Sequence, residues 1–317
     1  MTLLVQFILS TLFLFNISAM GQMFSTEVPK LSGTSKFATV NNITLHYVEH
    51  AKDGFRDEQK PVLLCLHGFT SQAHSFDRLA ENERLLDKFR VVALDMRGHG
   101  SSDWADSYLP NDFVQDIDAF VDHLGVDGVY MLGMSLGGIV AVTYAGQFPE
   151  KVKALMLGDI APGISMEAIQ RTMADDPSPE SFASLDAAVE FASKGFSWPN
   201  VDNNGLRNDL ALRLNPVVGE NGSESYIWRA DLSIYNSLPI MLQQEASRWQ
   251  ALGNTSCKIL TLRGIDSPFV SDEIKNKIES VHSGAKVVTV PGAGHCILAD
   301  NLDGFLNEAL PFLESQL

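Results

Sequence analysis

The chain has 317 residues, of which 45% are apolar, enough to bury a large core in one domain with an insertion or in two domains. The formal net charge is −16, from 23 basic and 39 acidic residues. This charge argues against nucleic acid and anionic membrane surfaces as partners, because both bind basic patches. The three cysteines, Cys65, Cys257 and Cys296, are odd in number and widely spaced, and indicate neither a disulfide framework nor a Cys-x-x-Cys metal or redox motif.

The N-terminus carries an uncharged apolar stretch at residues 3–19, followed by small residues. This pattern resembles the core and cleavage region of a signal peptide, and it is slightly short for a membrane span. It lacks the Lys or Arg that usually precedes such a core, so translation starting near Met23 is the alternative. We leave residues 1–25 out of the fold. We expect a protein that is exported (periplasmic or secreted) or anchored. If translation starts near Met23, we expect a cytoplasmic protein instead. Contact with a membrane is expected only if the N-terminal segment is retained.

From about residue 37, short apolar strands alternate with helices, which is typical of an α/β fold with a mostly parallel sheet covered by helices on both faces. The segment 43–49 predicts an early antiparallel strand. Further strands are predicted at 61–66, 90–94, 127–132 and 152–158, and helices at 75–88, 111–124 and 135–147. We number the strand at 152–158 as the sixth of the fold. Either Asn111 or Asp112 can cap the helix at 111–124.

The alternation stops between Pro162 and Ser256, where the chain is rich in aromatic residues and turns. This stretch is predicted to be mainly helical, with its better helices near 184–194 and 239–251. Strands at 258–263 and 286–290 and helices at 271–282 and 301–315 then complete the pattern. We therefore predict a core formed by 37–161 and 257–317, and a helical cap at 162–256 that lies over the strand ends, where open α/β sheets bind ligands.

The motif Gly133-Met134-Ser135-Leu136-Gly137 lies directly between a predicted strand and a predicted helix. A sharp turn at such a position lifts the serine hydroxyl clear of the sheet, and the glycines leave room for the turn. The helix directs its free amides at an oxyanion that forms there. This context predicts Ser135 as a nucleophile.

An oxyanion needs two amide donors, and the sequence offers two. One is Leu136, the residue after the nucleophile, and the other is Phe69 in His67-Gly68-Phe69, which follows the strand at 61–66. An ordinary turn is the alternative reading of this second motif. A general base must also reach Ser135. His295, in the glycine-rich loop after the last strand, has the required place near the C-terminus.

The motifs HGF, DMRGHGSSD, GMSLGG and PGAGH, in this order and spacing, resemble the α/β-hydrolase family from about residue 37 to the C-terminus. More narrowly, the chain is similar to small capped esterases and lactonase-like hydrolases. Two segments carry this narrower resemblance: Gly158-Asp159-Ile160-Ala161-Pro162 after the sixth strand and Arg263-Gly264-Ile265-Asp266-Ser267-Pro268 after the seventh.

The acid that orients the histidine has two candidates. Many members of the family place it after the seventh strand as G-x-x-D, but here that position is Ser267, with Asp266 one residue early. In the members that this chain most resembles, the acid lies at the end of the sixth strand, which implies Asp159. We favour Asp159, keep Asp266 as the alternative, and expect Ser267 to add a hydrogen bond beside the histidine.

These residues predict a serine hydrolase that cleaves a small carboxylic ester or lactone through an acyl-enzyme, with no metal or organic cofactor. The aromatic residues of the cap suggest a substrate with an apolar group. A C–C bond hydrolase or a perhydrolase with the same triad is an alternative. A protein with this fold that chiefly binds a small ligand is another.

Overall fold

The computed structural model describes residues 31–52, 58–165, 168, 179–194, 201–219 and 222–317. The apolar segment predicted as a signal peptide or anchor, residues 1–25, lies outside the described residues, so export and localisation stay predictions. Within the described ranges, none of the helices combines the length and the apolar character needed to cross a bilayer.

Eight strands of the described chain form one sheet, in the order β1-β2-β4-β3-β5-β6-β10-β11. Strand β2 is antiparallel to β1 and to β4, whereas the other pairs are parallel. The strands are β1 (Thr34–Val40), β2 (Ile43–His50), β3 (Val62–Leu66), β4 (Arg90–Leu94), β5 (Val129–Met134), β6 (Val152–Gly158), β10 (Lys258–Gly264) and β11 (Ala285–Val290). The predicted α/β fold class with a mostly parallel sheet is confirmed.

Helices cover both faces of this sheet, because its inner strands are apolar on both sides. The helices of the core are α1 (Asp77–Ala80), α2 (Glu83–Lys88), α3 (Pro110–Leu124), α4 (Leu136–Gln147), α9 (Asp272–Val281), α10 (Ile297–Asp300) and α11 (Leu302–Glu314). Helices α3, α4 and α9 bury apolar residues on one face, and α1, α2 and α11 on the other.

Two local predictions are wrong. A continuous helix at 75–88 is instead a 3₁₀ turn (Ala73–Phe76) followed by α1 and α2. Asn82 separates them because its side chain accepts the Leu85 N–H and caps α2. Asparagine is favoured at this capping position and disfavoured in the interior of a helix. Helix α3 begins at Pro110, and Asp112 acts from inside its first turn by accepting the Leu109 N–H at 2.9 Å.

The insertion between β6 and β10 contains helices and a small antiparallel sheet that the sequence analysis did not predict. The described elements are β7 (Ser181–Phe182), α5 (Leu185–Ala192), α6 (Asn203–Arg213), β8 (Leu214–Val218), β9 (Glu224–Trp228), a 3₁₀ helix (Leu232–Ser237), α7 (Leu238–Gln243) and α8 (Glu245–Asn254). The sheet order is β7-β9-β8. The predicted helix at 239–251 is two helices, α7 and α8, separated at Gln244.

Part of the insertion has a core of its own, which includes Phe182, Leu185 and Trp228. We call the described residues 179–243 the cap; the predicted boundaries of the cap domain stay predictions. Helix α8 packs instead against α4 on the face of the main sheet. The carboxyl ends of the parallel strands all lie on the same side of the sheet, so the segments that follow β3, β5, β6, β10 and β11 meet there.

Candidate active site

Ser135 occupies a sharp turn between β5 and α4, at φ 50° and ψ −117°. This conformation is rare for a residue with a side chain and it turns the hydroxyl away from the sheet. The turn requires close backbone approach, since a Cβ on Gly137 would lie 2.2 Å from the Leu66 carbonyl oxygen and one on Gly133 would lie 2.4 Å from the Gly137 oxygen. The glycines of the motif are therefore explained by contact with neighbouring backbone.

A chain of hydrogen bonds joins three of the residues selected from the sequence. The Nε2 atom of His295 lies 3.0 Å from Ser135 Oγ, and its Nδ1 atom lies 2.7 Å from Asp159 Oδ2. Because an ionised carboxylate can only accept, this network assigns the ring hydrogen to Nδ1 and leaves Nε2 to accept from the serine hydroxyl. The arrangement can take a proton from Ser135 and stabilise the imidazolium that results.

Asp159 is fully buried at the end of β6, at φ 48°. Its Oδ1 accepts the Gly264 N–H at 3.0 Å, and its Oδ2 accepts the Ser267 hydroxyl as well as His295. These donors hold the carboxylate in one orientation. The predicted hydrogen bond of Ser267 is thus made to the acid itself.

Asp266, the alternative acid, is exposed to solvent. Its backbone N–H donates to the Ala293 carbonyl at 3.0 Å, which fixes the turn after β10. The structure therefore brings Asp159, and not Asp266, to the Nδ1 atom of His295.

The His295 ring is covered on one face by Phe269. The two rings stack with centroids 3.9 Å apart and an interplanar angle of 16°. The His295 side chain is only 12% exposed. This packing limits the ring to the orientation in which both of its nitrogens have partners.

The two predicted oxyanion donors flank Ser135. Leu136 is the first residue of α4, and Phe69 lies in the loop after β3, where a Cβ on Gly68 would be 3.1 Å from the Ser135 Cβ. In the described part of the chain, neither the Leu136 nor the Phe69 amide donates to a protein acceptor. Both N–H groups thus remain for a bound oxygen.

His67 fixes the loop that carries Phe69. It is fully buried, its Nδ1 donates to the Gly68 carbonyl at 2.8 Å, and its Nε2 accepts the Met96 N–H at 3.0 Å. Burial lowers the pKa of His67, so that the ring stays neutral. The cap reaches the same loop through Tyr235, which stacks on Phe69 with centroids 5.4 Å apart.

Two arginines of the cap, Arg213 and Arg229, were missed in the sequence analysis. They lie more than 30 residues from any of the motifs singled out above, in a segment without family patterns, so no signal in the sequence separated them from surface arginines. Arg213 is 11% exposed and forms an ion pair with Asp209 at 2.6 Å. Within the described ranges, no group of three or more His, Cys, Asp or Glu side chains is placed to hold a metal ion.

The chain matches the model of one protein family. The model of the alpha/beta hydrolase fold matches residues 61–302, which is more than half of the chain. A 3-hydroxybutyrate-oligomer hydrolase of Cupriavidus necator is 28% identical over 246 residues, which cover 74% of this chain and 82% of that protein. A 2-(acetamidomethylene)succinate hydrolase of Mesorhizobium japonicum is 29% identical over 242 residues, which cover 75% and 82% of the two chains.

Among solved structures, the crystal structure of an E-2-(acetamidomethylene)succinate hydrolase superposes with a TM-score of 0.76 at 26% identity, covering 89% of this chain and 100% of the other. The family model extends from β3 to the start of α11, so it includes the six parallel strands of the sheet and the segments that carry Ser135, Asp159 and His295. The chain belongs to the α/β-hydrolase family.

Proposed function

We propose that this hydrolase cleaves a small carboxylic ester or lactone by a serine mechanism, with Ser135 as nucleophile, His295 as general base and Asp159 as the acid that orients the histidine. The observation that carries the proposal is the hydrogen-bonded chain from Ser135 Oγ through His295 to Asp159 Oδ2. It starts at a serine held in a strained turn, where the hydroxyl faces the strand ends.

In the first step, Ser135 Oγ attacks the carbonyl carbon of the substrate while its proton passes to His295 Nε2. The carbonyl oxygen becomes an oxyanion that accepts hydrogen bonds from the Phe69 and Leu136 amides. Collapse of this intermediate breaks the bond to the alkoxide, which takes the proton from His295. An ester releases its alcohol at this point, whereas the alcohol of a lactone stays attached to the acyl group.

In the second step, His295 Nε2 takes a proton from water, and the resulting hydroxide attacks the acyl carbon. Collapse of the second oxyanion returns the proton to Ser135 and releases the carboxylic acid. Asp159 stabilises the imidazolium in both steps because its buried carboxylate accepts the Nδ1 hydrogen. No step calls on a group outside the chain other than water.

The proposal predicts that Ser135→Ala loses about 10⁴-fold or more in kcat on short 4-nitrophenyl esters, because the covalent step is then impossible. Wild-type protein should also be labelled covalently at Ser135 by a fluorophosphonate, as seen by mass spectrometry of the peptide. Undiminished esterase activity in Ser135→Ala would overturn the assignment. A wild-type protein without turnover or labelling would favour a ligand-binding protein of the same fold.

A further inference from the structure

Arg213 and Arg229 lie opposite each other at the open end of the hairpin β8–β9, where helix α6 ends and β8 begins. The Arg229 N–H donates to the Arg213 carbonyl at 2.9 Å, which extends the β8–β9 ladder by one pair. The next pair, Leu214 and Trp228, is buried in the core of the cap. Because side chains alternate between the faces of a hairpin, the two arginines lie on the face opposite to the cap core.

The charge of Arg213 affects the pKa of four residues around the candidate active site. Burial lowers the pKa of His67 and His99, and the Arg213 charge lowers both further. The same charge opposes the burial that raises the pKa of the Tyr235 hydroxyl and of the Cys296 thiol. These residues adjoin the oxyanion loop and His295, and the same part of the cap contacts that region directly, because the Asp231 N–H donates to the Gly98 carbonyl at 2.8 Å and Tyr235 stacks on Phe69.

Arg229 is a largely buried cation. Burial lowers the pKa of its guanidinium, and its Nε atom is buried without a hydrogen-bond partner among the described residues. The charge of Asp95 acts on it, but the Asp95 oxygens already accept from His46 Nδ1, Ala73 N and Ser101 N at 2.6–2.8 Å. A buried cation of this kind is costly unless an anion binds it.

A carboxylate fits this position best. The planar fork of a guanidinium matches the two oxygens of a carboxylate, and Arg213, although it pairs with Asp209, adds positive charge beside it. The whole chain has a net charge of −16 and therefore repels anions, so an anionic substrate would need a local cation at the site. Arg229 supplies that cation on the cap, within reach of the charge of Asp95, the residue that follows β4.

We propose that Arg229, supported by Arg213, binds a free carboxylate of the substrate, so that the preferred substrates are esters or lactones that carry an acid group away from the bond that is cleaved. This rests on the hydrolase function proposed above. Arg229 is a specificity-determining residue in this proposal and takes no part in the covalent steps.

The test compares two esters that differ in one carboxylate and its methyl ester, mono-4-nitrophenyl glutarate and methyl 4-nitrophenyl glutarate, with the uncatalysed rate of each subtracted. We expect wild-type protein to favour the acid roughly 10-fold or more in kcat/KM, and Arg229→Gln to lower this ratio roughly 10- to 100-fold, the loss of one charged hydrogen-bonded pair. Arg207→Gln is the matched control, because Arg207 is another arginine of the cap, on the helix α6 that ends at Arg213, and it pairs with Asp186 at the surface. The ratio should be unchanged in this control.

Equal rates of wild-type protein on both esters, or an unchanged ratio in Arg229→Gln, would overturn the carboxylate site while leaving the hydrolase intact. If Arg229→Gln does not fold by circular dichroism, Arg229→Lys replaces it, and a partial loss of the ratio is expected because the fork is lost and the charge kept.

If wild-type protein hydrolyses neither ester, the proposed function fails, and calorimetry with glutarate tests the site by itself. Glutarate should bind Ser135→Ala at least tenfold more tightly than Ser135→Ala/Arg229→Gln. Equal binding would overturn the site.

Discussion

At the scale of single residues, backbone strain is concentrated at the candidate active site. Among the described residues other than glycine, positive φ angles occur at Thr70, Ser135 and Asp159 and, outside the site, at the two asparagines of the β1–β2 turn. The three site residues each follow a strand of the parallel sheet. Such conformations cost about 1–3 kcal/mol each and persist only where the surrounding contacts enforce them. The strained residues supply the Ser135 hydroxyl, the Asp159 carboxylate and, in the oxyanion loop, Thr70, whose hydroxyl donates to the Phe69 carbonyl at 2.8 Å.

The acid of the site can be identified by a pair of matched substitutions. We expect Asp159→Asn to lower kcat about 10²- to 10⁴-fold on short 4-nitrophenyl esters, because an amide can present its N–H to His295 and stabilise the wrong tautomer. Asp266→Asn should stay within about twofold of wild-type activity, since Asp266 is exposed and contributes its backbone to the turn. Steady-state kinetics at pH 8 measures both. A large loss in Asp266→Asn alone would show that the acid is misassigned.

The residues of the site could not all be predicted from the sequence with equal ease. Ser135 follows from a local pattern, and His295 follows from its place in the chain. Asp159 was favoured over Asp266 by its place at the end of a strand together with a resemblance, because an aspartate after a strand is common and Asp266 also follows one. Arg213 and Arg229 could not be found, because their role depends on how the cap hairpin lies over the sheet, and no local pattern encodes that placement.

At the scale of elements, helix α8 is held unusually close to helix α4. A Cβ on Gly146 of α4 would lie 2.5 Å from the Ala251 Cα and carbonyl oxygen of α8. The backbones therefore touch, and the apolar side chains of both helices pack beside the contact, with Trp249 and Leu252 buried. Close approach of this kind fixes the end of the insertion against the sheet that carries Ser135.

We expect Gly146→Ala to lower the free energy of unfolding by about 1–3 kcal/mol, because the added methyl group meets backbone that cannot rotate away. Gly253→Ala is the control on the same helix pair. Among the described residues outside its own helix, its Cβ would have only Val281 within 4 Å, at 3.5 Å, and alanine should leave stability unchanged or raise it by about 0.5–1 kcal/mol. Urea unfolding measures both variants. Equal stability in the two would argue against the close helix contact.

The sequence predicted the parallel strands to within two residues, because strands buried on both faces read as continuous apolar runs. It did not predict β1 as a strand, since β1 lies at the sheet edge and most of its side chains are exposed. The three strands of the cap were missed for a related reason. They are two to five residues long, and polar residues and a proline interrupt their apolar pattern.

At the scale of the whole molecule, two neutral histidines are buried together beneath the site. His67 and His99 are fully buried, with ring centroids 4.7 Å apart. Burial lowers the pKa of His99 to about 3, from an ordinary value of about 6.5. The folded protein therefore keeps His99 neutral at a pH where the unfolded chain protonates it.

The difference in the His99 pKa makes the folded protein less stable as the pH falls. Because the folded pKa lies below the unfolded one, this contribution to stability is present above pH 6.5 and is lost as the pH falls. Between pH 7 and pH 5, His99 should account for about 2 kcal/mol of lost stability. We expect His99→Gln to lose about 2 kcal/mol less than wild-type protein over this range in urea unfolding, whereas replacing the exposed His123 by Gln should leave the difference unchanged. Parallel pH curves for wild-type protein and His99→Gln would contradict the burial of a neutral ring.

Two main-chain groups of the cap hairpin help to attach it to the segment after β4, beside the bond from the Tyr108 hydroxyl to Asp231 Oδ2 at 2.7 Å. The Asp231 N–H donates to the Gly98 carbonyl at 2.8 Å, and the Trp104 indole donates to the Arg229 carbonyl at 3.2 Å. These bonds do not depend on the side chain at 229. Substitutions at this position can therefore accumulate during evolution without detaching the hairpin, so that related enzymes can exchange one substrate preference for another while inheriting the same catalytic apparatus.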